Sequence, residues 1–317
     1  MLFSPVQMHI PDGFLSLPVA LVLWALSVVV VGYALRRANR DLGERQVPLM
    51  GVLAAAIFAG QMLNFSVAGG TSGHLLGAAL ATILLGPWAA ILVMTTVVGV
   101  QALIFQDGGL LAMGGNLFNM AVIGVAVSYA VYRTVQKIAG NRRQGVFLGG
   151  FVAAWLSIVA AALACAIELA ASGTSRADLA IPAMGAIHML IGIGEGLITL
   201  GALVFLQATR PDLLQAGSAR TVHGGLVWAL GLGIALLLAV ASPLASSHPD
   251  GLEWVAEQKG FLEAAKGPLY KIIPDYTVPG ISNSAAATIL AGVLGTLLVF
   301  GLALAIAYLR RQRHPAN

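Results

Sequence analysis

The chain has 317 residues, of which 58% are hydrophobic and only 9% charged, with a mean hydropathy of +0.89. So little polar surface excludes a water-soluble globule and places the chain in a bilayer. The formal charge of +4 and pI near 9.5 do not point to nucleic acid, because the basic residues are scattered between apolar runs rather than gathered on one face.

Nine apolar runs approach the roughly 20 residues that an α-helix needs to cross about 30 Å of hydrocarbon. In chain order they are 17–35, 47–66, 74–91, 89–106, 113–133, 146–171, 182–206, 222–242 and 286–308, the third and fourth sharing a turn around Gly86-Pro87. The first run has its basic cluster after it rather than before it, so it reads as a span and not as a cleavable signal. The expected fold is all-α: a polytopic integral membrane bundle of about nine transmembrane helices. Seven belong to a main domain, residues 1–210, and two to an accessory module, residues 211–317. Those two flank an outer loop from Ser242 to Ser284, with a short helix expected around Leu252 to Ala265. With the N-terminus outside, 13 of the 17 basic residues fall on inner segments, in clusters at 36–45, 133–143, 210–220 and 310–313. That bias predicts N-out and C-in.

A nucleotide site would need Gly-Lys-Ser or Gly-Lys-Thr. The lysines here follow Gln136, Gln258, Ala265 and Tyr270, so ATP-driven work would need another subunit. The glycine-rich stretch 192–196 lies inside a span with no strand before it and reads as helix packing. The single cysteine, Cys165, has no disulfide partner and reads as a small core residue.

The chemistry-bearing residues gather at the outer ends of the runs. His9 stands in the segment Met8–Phe14 just outside the first span, and His74 ends the outer turn Gly69–His74. Each alone is equally well a solvated or interfacial histidine. Together they are a candidate metal pair, because neutral imidazole suits nickel, cobalt, copper and zinc alike. His188 and Glu195 are seven residues apart, on one face of the seventh helix. Ionisable groups inside a span are costly, so that pair implies either a function or a polar contact between helices. Gln101, Gln106, Asp107, Asn116 and Asn119, near the outer ends of the fourth and fifth spans, either line the same cavity or tie helices together.

Four motifs occur in order between residues 8 and 199: Met-His-Ile-Pro-Asp-Gly-Phe-Leu at 8–15, Gly-Thr-Ser-Gly-His-Leu-Leu-Gly at 70–77, Phe-Gln-Asp-Gly-Gly-Leu-Leu-Ala at 105–112 and His-Met-Leu-Ile-Gly-Ile-Gly-Glu-Gly-Leu-Ile-Thr at 188–199. They resemble the CbiM/NikM family, the substrate-specific S components of energy-coupling factor (ECF) transporters for cobalt and nickel. Ser246–Glu253, with its Pro-Asp-Gly-Leu-Glu run, resembles the start of the PDGLE domain found in CbiN/NikN-type proteins.

The resemblance implies a metal held by the free amine of Met8, the backbone nitrogen and imidazole of His9, and the imidazole of His74. Such a square-planar nitrogen set favours Ni(II) or Cu(II) over magnesium or calcium and also admits Co(II). In the family the methionine is residue 1, whereas here Met1–Gln7 precede it. An internal Met8 offers only an amide, whose lone pair is tied up in resonance, while a terminal amine can donate. Either translation starts at Met8, which is the expectation here, or the site in this chain is built differently. His188, Glu195 and Asn116 are expected to orient a ligand, line a polar cavity or pack helices.

The resemblance further implies no enzymatic activity and no intrinsic cofactor, with Ni2+ or Co2+ as cargo. The implied partners are a transmembrane T component of the CbiQ/NikQ type, cytoplasmic ATPases of the CbiO/NikO type and the lipid of a bacterial-type inner membrane, with no nucleic acid. Two other readings compete. A carrier driven by an ion gradient would show inverted repeats, and none is convincing. A membrane metalloenzyme built on His188 and Glu195 lacks the His-Glu-x-x-His spacing.

Overall fold

The computed structural model describes residues 8–43, 46–140, 142–214 and 224–310. Among them are six helical segments long and apolar enough to cross a membrane: Leu17–Ala38, Pro87–Phe105, Met113–Ile138, Arg143–Ala171, Ala177–Thr209 and Ser284–Arg310. Two shorter apolar helices, Gln46–Gln61 and Trp228–Leu244, accompany them. The protein is thus an all-helical, multi-pass membrane protein. Its outward faces are aliphatic, with Leu21, Val22, Val28 and Val29 exposed on the first helix and Leu190, Ile193 and Leu197 on the eighth. Lipid tails accept such faces at no cost, and small residues then carry the helix contacts.

Helix α1 (Leu17–Asp41) has proline in its first turn, where the missing N–H is not needed. After α2 (Gln46–Gln61) the chain turns into a hairpin, β1 (Phe65–Val67) and β2 (Thr71–Gly73), paired antiparallel with Phe65 opposite Gly73 and Val67 opposite Thr71. The second apolar run therefore stops short of residue 66. The run expected as a third span, 74–91, also differs. Its helix α3 (Ala78–Leu85) has eight residues, about 12 Å at 1.5 Å per residue, too short to cross. Ala78, Ala79 and Ala81 are fully buried within the protein, and a helix surrounded by protein reads as apolar as one surrounded by lipid.

Helix α4 (Pro87–Val100) continues into a π-helical turn, Gln101–Phe105. A second π-helical turn, Phe118–Ile123, joins α5 (Met113–Leu117) to α6 (Gly124–Ile138). These two widened turns flank the loop that carries Asp107, and such irregularities concentrate at functional sites. Helices α7 (Arg143–Ala171) and α8 (Ala177–Thr209) pack against each other along their length.

The C-terminal part supplies α9 (Gly224–Ala241), α10 (Gly251–Lys259) and α11 (Ser284–Arg310). Helix α11 lies on α2, α4 and α9 with Ala287, Ala291, Gly295, Val299 and Ala303 turned inward at every fourth position. Any side chain at Gly295 would collide with the Phe58 ring. The short helix expected near 252–265 is α10. Asp250 caps it by accepting from the Glu253 N–H at 2.7 Å, and Gly260 ends it at φ 75°.

The segment around α10 lies on the N-terminal residues. The Lys266 N–H donates to the Asp12 carbonyl at 2.7 Å, and Phe14 meets Phe261 edge-on at 5.3 Å. Gly13, at φ 96°, passes so close to the Ala264 carbonyl that no Cβ fits.

Candidate metal centre

Residues 8–12 are held between two clasps. Asn116 holds Ile10 from both sides, accepting from its N–H at 2.9 Å and donating to its carbonyl at 3.1 Å. The Asp12 carboxylate accepts from the N–H groups of Leu110, Leu111 and Ala112 at 3.1, 2.8 and 3.0 Å, satisfying donors at the entry to α5. Gly108, at φ 91°, must be glycine, since a Cβ there would sit 2.8 Å from the Asn116 Nδ2 and 2.9 Å from the His9 Cβ.

Asp107 is the hub of this segment. Its Oδ1 accepts from the Met8 N–H at 2.7 Å and lies 3.3 Å from His9 Nδ1, and its Oδ2 accepts from the Tyr276 hydroxyl at 2.6 Å. Burial alone would lower the His9 imidazole, but the charge and hydrogen bond of Asp107 override it and raise it. Burial alone would raise the Asp107 carboxyl, and His9, Tyr276 and Met8 hold it down instead. Nε2 of His9 remains buried without a hydrogen-bond partner.

His74 faces His9 across 5.9 Å between ring centroids, at an interplanar angle of 77°. Its Nδ1 lies 3.1 Å from the Leu75 carbonyl, which can only accept, so that bond fixes the proton on Nδ1 and leaves the lone pair on Nε2. Burial, reinforced by the neighbouring His9, drops its pKa to about 4, so it stays neutral at physiological pH. Helix α8 fixes the turn that follows. The fully buried Glu195 carboxylate accepts from Leu76 N–H at 2.7 Å and Gly77 N–H at 3.0 Å, and Gln61 donates to the Leu76 carbonyl at 3.0 Å.

Met8, His9, His74, Asn116, Asn119 and His188 line one cavity of about 80 Å³, room for an ion with very few waters. His188 turns its Nδ1 to the Met184 carbonyl at 2.8 Å, one turn back on its own helix. Although His188 and Glu195 share a helix, they serve different places: His188 lines the cavity, while Glu195 grips the backbone after His74. Asn119 donates to Glu168 on α7 at 2.8 Å. Gln106, at φ 54°, stands outside the cavity and accepts from Ile272 N–H at 3.1 Å. Cys165 is buried against the cavity wall.

Sequence reasoning missed the contribution of the C-terminal loop. The Ser72 N–H donates to the Pro249 carbonyl and the Ser72 hydroxyl to the His248 carbonyl, both at 2.8 Å, which joins the two motif segments. Asp250 lines the cavity too, its carboxyl pushed up to about 8 by burial. The signal available was the Pro-Asp-Gly-Leu-Glu run itself, whose polar residues in an otherwise apolar chain need a buried partner. Among the described residues no three His, Cys, Asp or Glu side chains gather as a metal-binding group. The side-chain donors that face each other are two imidazoles set beside main-chain nitrogens.

A helical membrane bundle with a buried, imidazole-lined cavity suits a membrane transport component rather than a soluble binding protein. A family model described as "Cobalt uptake substrate-specific transmembrane region", CbiM, matches residues 9–213, and a PDGLE domain matches residues 225–312. A relative from Archaeoglobus fulgidus that carries the name of a fused nickel transport protein, NikMN, is 40% identical over 302 residues, covering 94% of this chain and 98% of its own. The fused nickel transport protein NikMN of Rhodobacter capsulatus is 32% identical, covering 96% and 99%. A crystal structure of a truncated transition metal transporter matches with a TM-score of 0.57 at 37% identity, over 64% of this chain and 99% of that one. The chain belongs to the CbiM family and carries a PDGLE domain behind the CbiM region. It is a metal-uptake component, a transporter subunit and not an enzyme.

Proposed function

We propose that the chain is the substrate-specific subunit of an ECF-type ABC importer and captures Ni2+ or Co2+ on the outer side of a bacterial-type inner membrane. The reading divides the chain into a capturing domain, residues 1–210, and an accessory module, residues 211–317, oriented N-out and C-in. A CbiQ/NikQ-like transmembrane component and separate CbiO/NikO-like ATPases complete the system, since the sequence carries no nucleotide-binding loop. Nickel is the favoured cargo, because relatives that share both modules carry nickel-transport names.

One observation carries the reading: the imidazoles of His9 and His74 face each other 5.9 Å apart beside the Met8 nitrogen. An ion about 2 Å from a nitrogen of each ring holds two imidazole centroids within roughly 6 Å of each other. The proposed donors are the Met8 amine, the His9 main-chain nitrogen and imidazole, and the His74 imidazole. Two imidazoles alone leave four-coordinate nickel incomplete, and the adjacent main-chain nitrogens close the set. Asp107, which touches Met8 N and His9, orients the donors and stays outside the coordination sphere.

The test is binding of nickel and cobalt to purified protein made in two forms, one starting at Met1 and one at Met8 with a free amine, each with a His74→Ala control. Tight binding by the Met8 form alone, abolished by His74→Ala, is expected. Equal binding by both forms would remove the amine from the donor set, and binding indifferent to His74→Ala would overturn the site.

A further inference from the structure

Tyr276 comes from the outer loop of the PDGLE domain, yet it ends inside the N-terminal site. It is fully buried, and its hydroxyl donates to Asp107 Oδ2 at 2.6 Å. The other oxygen of that carboxylate takes the Met8 N–H and borders His9. One carboxylate is thus shared between the loop and the segment proposed to hold the metal. The tyrosine ring stacks on Phe105 at 4.9 Å and 15° and lies 6.1 Å from Phe58.

The backbone that delivers this side chain is not relaxed. Asp275 and Tyr276 both adopt left-handed conformations, φ 52° and 54°, which residues with a Cβ avoid. Neighbouring contacts hold the turn in place. The Tyr270 hydroxyl donates to the Leu103 carbonyl at 2.8 Å, the Ile273 N–H to the Ile104 carbonyl at 3.1 Å, and the Ile272 N–H to Gln106 Oε1 at 3.1 Å. All three anchors sit on the π-helical turn after α4 and on the residue following it, just before Asp107.

We infer that Tyr276 is a positioning residue for the metal site: its hydroxyl fixes the rotation of the Asp107 carboxylate, and through it the seating of Met8 and His9. The inference rests on the metal-site reading proposed above. Its consequence is that the PDGLE domain acts on metal capture through the Tyr276–Asp107 hydrogen bond and not only by covering the site. The Tyr276 hydroxyl also meets the Gln101 side chain, and Asp107 is its link to Met8 and His9.

The experiment uses the full chain starting at Met8, in detergent, carrying Tyr276→Phe, Asp107→Asn, both together, or Phe105→Leu. Each is titrated with nickel and with cobalt, recording Kd, the ligand-field absorption of the bound ion and the thermal midpoint without metal. Tyr276→Phe keeps the ring on Phe105 and removes only the hydroxyl. It is expected to weaken binding by about 10-fold or more, the range for a residue that orients a ligand, and to shift the absorption band. In the Asp107→Asn background the same change should add nothing. Phe105→Leu, which loosens the stack and leaves the hydroxyl bond, should lower the thermal midpoint while leaving the absorption band in place. Unchanged Kd and spectrum in Tyr276→Phe, or equal weakening with and without Asp107, would overturn the inference. His74→Ala separates the two readings: if it does not weaken binding, the metal site itself fails. If it abolishes binding while Tyr276→Phe has no effect, only the role of Tyr276 fails.

Discussion

Glu195 and Asp107 do the same work beside two different histidines. Each is a buried carboxylate that accepts main-chain N–H groups beside a histidine, so each sets an imidazole by gripping the backbone next to it. Glu195→Gln retains the volume but turns one acceptor into a donor facing an N–H, and an unpaired buried group costs about 1–3 kcal/mol. The expected outcome is a lower thermal midpoint together with nickel binding weakened by about 10-fold, since His74 loses its fixed turn. A variant that melts early yet binds as the parent does would show that the Glu195 grip serves folding only.

Asp250 gives a second prediction at this scale, through pH. Its carboxyl is raised from 3.8 to about 8, chiefly by burial, with Glu253 and Asp107 adding negative charge and His9 opposing them. The folded state therefore holds a proton that the unfolded state releases above pH 4. The contribution of this group to stability is full below about 4 and declines as pH rises toward 8. Asp250→Asn keeps an acceptor for the Glu253 N–H and cannot ionise. Between pH 5 and 8 the thermal midpoint of the parent relative to that of Asp250→Asn should fall as pH rises, because His74, whose contribution has the opposite sign below about 6.5, is common to both; parallel curves would contradict the burial argument.

At the scale of elements, apolar run length separated most helices but not their surroundings. The segments around 17–35, 146–171, 182–206 and 286–308 are long helices in the structure because uninterrupted apolar residues satisfy both lipid and helix. The run 74–91 misled for the converse reason: α3 is apolar because protein surrounds it, and Gly86, at φ 79°, breaks the run before Pro87. The hairpin 65–73 was legible only as a glycine-rich turn, since three-residue strands leave no period to read. His9, His74, Asp107 and Asn116 stood out as polar residues in an apolar chain. That Glu195 holds residues 76 and 77, or that Tyr276 reaches Asp107, depends on contacts 119 and 169 residues apart, which no local pattern encodes. The same contacts shape a prediction for the module. Removing residues 222–317 strips α11 from α2 and Tyr276 from Asp107, while the helices α1–α8 keep their own contacts. The truncated chain is expected to insert in the membrane but to support less metal uptake in cells; undiminished uptake would make the module dispensable.

For the whole molecule, the question is where the energy for uphill transport enters. A gradient-driven carrier needs ionisable groups that reach both sides in turn, commonly on broken helices at the bilayer midplane. Here the π-helical turns and the imidazoles cluster at one end of the bundle, beneath the loop that carries Tyr276 and Asp250. Among the described residues, the end of α6 and the start of α7 carry Arg133, Lys137, Arg142 and Arg143 and no histidine. That asymmetry suits a subunit that captures an ion on one side and is moved by partners. In proteoliposomes containing the chain alone, nickel should bind without accumulating against a gradient, whatever proton or sodium gradient is imposed. Adding the proposed transmembrane component and ATPases should produce accumulation that requires ATP. Accumulation by the chain alone under an ion gradient would place the driving force within these helices, and the partner-dependent reading would have to be given up.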